Sequence, residues 1–97
     1  PAPPLQVLVR MLRNLKRIYV QERRFTTAVH YAEKISWLQP DEANNYRDLG
    51  FLYYSIHEYR KAIDAFTAYL RWAKDPSDTA EIQQNIRAIS NRLSMLN

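Results

Sequence analysis

The chain has no cysteine and only one glycine, Gly50. Without cysteine there is no disulfide framework, no thiol nucleophile and no thiolate zinc site. That usage fits a reducing compartment, and the expectation is the cytoplasm. A single glycine cannot build a phosphate-cradling loop, and no serine stands in a glycine-rich elbow. Proline is sparse once the start is set aside: Pro1, Pro3 and Pro4 open the chain and only Pro40 and Pro76 follow. Long uninterrupted helices are therefore allowed. No apolar run reaches the roughly 18 residues that a membrane-spanning helix requires. Histidine is reduced to His30 and His57, neither with a second imidazole at ligand spacing. Neither a metal, a cofactor nor an enzymatic site is expected. Ninety-seven residues make one small domain. The first residue is Pro rather than Met, so the chain reads as an excised piece of a larger protein, with residues 1–4 as linker.

What is present is a pattern written twice. A shift of 34 residues lays Leu12 on Tyr46, Leu15 on Leu49, Tyr19 on Tyr53, Phe25 on Tyr59, Ala28 on Ala62 and Ala32 on Phe66. Each copy contains two stretches of apolar residues at helical spacing. The first helix is predicted from about Pro4 to Gln21, with Leu5, Leu8, Leu12, Leu15 and Tyr19 in one stripe. Val7, Met11 and Ile18 widen that stripe, either as a broad core face or as a docking face for an upstream domain. The second helix is predicted over Phe25 to Leu38, with Phe25, Ala28, Val29, Ala32 and Ile35 inward. Pro40 ends the copy and Asp41 offers a cap for a third helix, about Glu42 to Ile56, which turns Tyr46, Leu49, Gly50 and Tyr53 inward. A glycine there suits a close helix crossing. The fourth helix, about Glu58 to Lys74, carries Tyr59, Ala62, Ile63, Phe66, Tyr69 and Leu70. Asp75-Pro76-Ser77-Asp78 breaks it, and Asp78 with Glu81 resembles a capping box for a fifth helix. Ile82, Ile86, Ile89, Leu93 and Leu96 form one stripe on that helix and polar residues fill the rest, as in a terminal cap on a stack.

A 34-residue period of paired helices resembles the tetratricopeptide repeat. The second copy supplies Leu49, Gly50, Tyr53, Tyr59, Ala62, Phe66 and a late Pro76. The first supplies Leu15, Tyr19, Phe25, Ala28, Ala32 and Pro40, with Lys16 where a small residue belongs. Both inter-helix turns replace the family glycine, by Arg23 and by His57. The resemblance implies an all-α fold: a right-handed helical stack of two helix-pair repeats, 5–40 and 41–76, with a C-terminal capping helix over 77–97. More narrowly, Leu12-Arg13-Asn14-Leu15-Lys16-Arg17-Ile18-Tyr19 and Arg47-Asp48-Leu49-Gly50 resemble the repeat tail of bacterial and plastid proteins with a transglutaminase-like front domain. None of that front domain's catalytic residues is in this chain.

Charge singles out a candidate site. The net charge is +4, but residues 1–40 hold seven basic residues against Glu22 and Glu33, and the remainder is close to neutral. In the repeat stack that the resemblance implies, first helices line a concave groove. That lining would be Arg10, Arg13, Asn14, Arg17 and Gln21, joined across the groove by Asn44, Arg47, Phe51 and Tyr54. Arginine forks suit carboxylates or an acidic peptide, and the aromatics suit apolar side chains. The expected function is protein–protein interaction with an acidic or carboxylate-bearing segment. A nucleic-acid reading through the same cations is the alternative, although no basic stripe continues along the later helices. A merely solvated basic face is the third possibility.

Overall fold

The computed structural model describes residues 3–74 and 76–96. Pro1 and Ala2 of the expected linker, Asp75 of the expected break and Asn97 at the end of the cap lie outside them. The described residues form five α-helices and one short 3₁₀ turn: α1 Leu5–Gln21, α2 Phe25–Leu38, α3 Ala43–Ser55, α4 Tyr59–Trp72, the turn Pro76–Asp78, and α5 Thr79–Leu96. The helices pack in chain order, each on the next, into a slab of 50 × 30 × 19 Å.

The sequence period reappears in the backbone. After α1, Arg24 N–H reaches the Tyr19 carbonyl at 2.8 Å and Arg23 N–H reaches Val20 at 3.0 Å. Thirty-four residues on, Glu58 N–H reaches Tyr53 at 2.9 Å and His57 N–H reaches Tyr54 at 3.1 Å. This paired pattern closes a helix through one left-handed residue. Arg23 has φ 58° and His57 φ 63°, so both turns hold a side chain where glycine is favoured. Each costs about 1 kcal/mol.

Two clusters make the core. Ala28, Val29 and Ala32 of α2 meet Leu49 and Leu52 of α3 and Ala65 of α4, with Tyr19, Phe25 and Tyr53 at the margin. Tyr59, Ala62, Phe66 and Tyr69 of α4 meet Ile82 and Ile89 of α5. Small residues let backbones approach and large ones fill the gaps. Gly50 is the tightest case: a Cβ there would lie inside van der Waals contact of the Phe66 ring.

Some expectations need correction. Leu5 is exposed, and Val9 is the buried residue of α1. Leu96 is exposed because the stripe of α5 outruns the α4 surface that covers Ile82 and Ile89. Asp41 does not cap α3: the cap position is Glu42, with no side-chain cap bond, and the entry is held instead by Asn45, whose Nδ2 reaches the Gln39 carbonyl at 3.4 Å. Asp78 places both carboxylate oxygens in tertiary contacts, receiving Arg47 Nε at 3.1 Å and the Tyr69 hydroxyl. The Tyr53 phenol donates to Glu33 across α2 and α3; burial first, then that bond, push its pKa well above the ordinary phenol range.

Candidate functional site: a groove in two halves

Between α1 and α3 runs a groove of about 580 Å³. It gathers Arg10, Arg13, Asn14, Arg17 and Gln21 from α1, and Phe51 from α3, as the helical spacing predicts. A second groove of about 580 Å³ follows between α3 and α5, with Phe51 and Tyr54 on one side and Ala88, Arg92 and Met95 on the other. Phe51 lines both, so the two grooves adjoin at its ring.

The cations of the first half are not equivalent. Arg13 is half-buried, and its guanidinium donates to Gln39 Oε1 at 3.0 Å and Asn45 Oδ1 at 2.9 Å. Asn45 is buried, so this contact satisfies an amide that water does not reach. Arg13 is therefore a tie between α1, the end of α2 and α3, although it also lines the groove. Arg17 is exposed and makes a 3.3 Å bond to Asn14 on its own helix. Arg10 is exposed as well, and neither Arg10 nor Arg17 has a carboxylate partner among the described residues.

Asp48 is the carboxylate of this half, and Lys16 neutralises it at 2.8 Å. Lys16 occupies the position where the repeat pattern wants a small residue. Its side chain is only 14% exposed, and its stem fills that space while the ammonium spans to α3. The pair is part-exposed, so its direct stabilisation is modest, about 0.2–1 kcal/mol. Its larger consequence is electrostatic: it removes the charge that would repel an anion.

Two predicted lining residues fall elsewhere. Asn44 lies at the α3–α4 edge beside Trp72, Asp41 and Glu42, around a smaller hollow of about 310 Å³. Arg47 bridges to Asp78, and its guanidinium carbon stands 5.2 Å from the Phe51 ring centroid. Side chains at 44 and 47 thus point toward α4 and α5 rather than toward α1, a consequence of where α3 rotates as it packs on α4. Sequence reasoning missed Asn45, Lys16 and the α5 wall. The 13–45 and 16–48 ties share one spacing, which a charged residue at a small-residue position could have suggested.

No helix among the described residues is long and apolar enough to cross a membrane, and none of their His, Asp and Glu side chains cluster as metal ligands. Comparison with known proteins adds three findings. The model of a family described as tetratricopeptide repeat matches residues 15–94. A relative described as "UPF0162 protein" from Xylella fastidiosa strain 9a5c is 30% identical over 91 residues, covering 94% of this chain and 32% of its own length. A protein of the same description from the Temecula1 strain is 29% identical over 91 residues, again with 32% of its length covered. The chain thus spans about a third of the length of these relatives.

Proposed function

Because the chain belongs to the tetratricopeptide repeat family, whose modules serve as protein-binding scaffolds, we propose that it receives an acidic or carboxylate-bearing protein segment over α1. One observation carries this reading: Arg10 and Arg17 face a groove and have no carboxylate partner among the described residues, while Asp48 beside them is already held by Lys16. The half-groove therefore offers uncompensated positive charge. Asn14 and Gln21 supply amide donors at its edge.

The test is fluorescence anisotropy with a labelled acidic peptide and a uridylate RNA of matched charge. The peptide binds wild type, and Arg10→Glu/Arg17→Glu weakens it at least about tenfold, on the order of one charge-assisted contact, without lowering the melting temperature. RNA binding with a steep salt dependence, and no peptide binding, would favour the nucleic-acid reading. Equal affinities for wild type and the double variant would leave the basic face a solvated surface.

A second proposal concerns the outer face of α1. Met11 is 52% and Ile18 44% exposed, one heptad apart on the helix. Val7, expected beside them, is only half-exposed. The relatives are about three times as long as the matched stretch, which supports a neighbouring domain of the same polypeptide as occupant. We propose that this domain is the transglutaminase-like front domain that the α1 and α3 motifs resemble.

A further inference from the structure

We infer that the α3–α5 groove is the second half of the same binding trough, so that the partner segment carries an acidic residue, then an apolar one, then a second acidic residue. This rests on the reading that α1 receives an acidic segment. Three observations extend it across the molecule.

Phe51 borders both halves, so a chain lying over α1 continues past its ring without leaving the trough. The middle of the trough is apolar and fixed. Phe51 is 39% exposed and stands edge-on to Phe66 with centroids 5.0 Å apart; Tyr54 is 39% exposed and tilts against Tyr59 at 5.5 Å. Both rings are braced from behind by buried side chains, so an incoming apolar group meets a formed surface and immobilises little. Ala88 on the facing helix leaves room for that group, and Met95, 86% exposed, gives it a flexible wall.

The far end is again basic. Arg92 of α5 lines the second half, with its guanidinium carbon 5.7 Å from the Tyr59 ring centroid and no carboxylate partner among the described residues. The trough therefore reads cation, aromatic floor, cation, and its complement reads anion, apolar group, anion. α1, α3 and α5 alternate with α2 and α4 and are bridged across the grooves by side chains, so each step exceeds the roughly 8–10 Å of packed helices and the two cationic ends lie about 20 Å apart or slightly more. An extended segment covers that in about six or seven residues.

The experiment uses labelled peptides of about seven residues. The first has Glu at both ends, Leu at the centre and Ser between. The second replaces the Leu by Ser, and two more replace one terminal Glu or the other by Lys. The first peptide should bind wild type at least about tenfold more tightly than the Leu-to-Ser peptide, an apolar side chain in a formed pocket being worth that factor. Arg92→Glu should weaken the first peptide by a similar factor and make one of the Lys peptides its better ligand. That inversion is not produced by general damage to the fold. Ala88→Glu and Met95→Glu, both at exposed positions, should weaken the first peptide with melting unchanged. If Leu-to-Ser, Arg92→Glu, Ala88→Glu and Met95→Glu all leave affinity unchanged while Arg10→Glu/Arg17→Glu abolishes it, the acidic-segment reading stands and the two-part trough is wrong. Loss of neither kind, or displacement by uridylate RNA alone, overturns both.

Discussion

Arg13 carries a charge that a groove offers to ligands, yet its Nη2 donates to both Gln39 and the buried Asn45. Reversing it strands that amide and places a carboxylate beside two acceptors. Arg13→Glu should lower stability by about 1–3 kcal/mol, whereas Arg17→Glu, on an exposed side chain, should stay within about 0.5 kcal/mol. Urea melts of the two single variants read the difference directly; equal midpoints would show that the α1–α3 tie contributes nothing. Gly50 poses the opposite problem. Alanine is the better helix former by about 1 kcal/mol, but its methyl meets the Phe66 ring, and overpacking costs about 1–3 kcal/mol. Gly50→Ala should therefore lower the melting temperature, and Phe66→Leu in the same chain should restore part of the loss. A stabilised Gly50→Ala would mean that the ring moves aside freely. The glycine was visible in the sequence as a close crossing; the role of Arg13 was not, because an arginine on a helix face looks the same whether it meets water or a buried amide.

At the scale of helices, α5 joins the core as well as closing it. Ile82 and Ile89 are buried against Tyr59, Ala62, Phe66 and Tyr69, and Asp78 at its entry receives Arg47 and Tyr69. Each buried isoleucine contributes about 1.5–3 kcal/mol, and together they approach the lower end of the about 5–15 kcal/mol that holds a small domain. A chain ending after Pro76 should lose cooperative thermal unfolding. Circular dichroism of the truncated chain checks this, and a melt as sharp as that of the full chain would reduce α5 to an appendage. The five helices were legible because their apolar spacing is local. The two turns were legible as well, since Arg23 and His57 stand where the repeat pattern bends the chain through a left-handed residue. The cap of α3 was misread because Asp41 is a favoured cap residue by type, whereas the helix starts one residue later, after Glu42, and its entry is held from within by Asn45.

For the whole molecule, the outer face of α1 separates a domain that is finished from one that has a neighbour. Met11→Glu/Ile18→Glu replaces exposed apolar groups, so helicity should persist and stability should change by no more than about 0.5 kcal/mol. Sedimentation equilibrium should find the variant monomeric at concentrations where wild type self-associates through this patch. Unfolding of the variant would place the two side chains in the core. The sequence by itself determined the helical class, the 34-residue period, the helix bounds to within a residue or two and the basic character of α1, because each is written in local spacing and composition. Only the tertiary structure decided which cations are free. Lys16 is neutralised by Asp48 and Arg47 by Asp78, Arg13 keeps its charge but is tied to the buried amide of Asn45, 32 residues away, and the far wall of the second groove comes from α5. Those pairings depend on how each helix is rotated as it packs on the next, and rotation is set by the summed fit of side chains from both helices, which neither stretch carries alone.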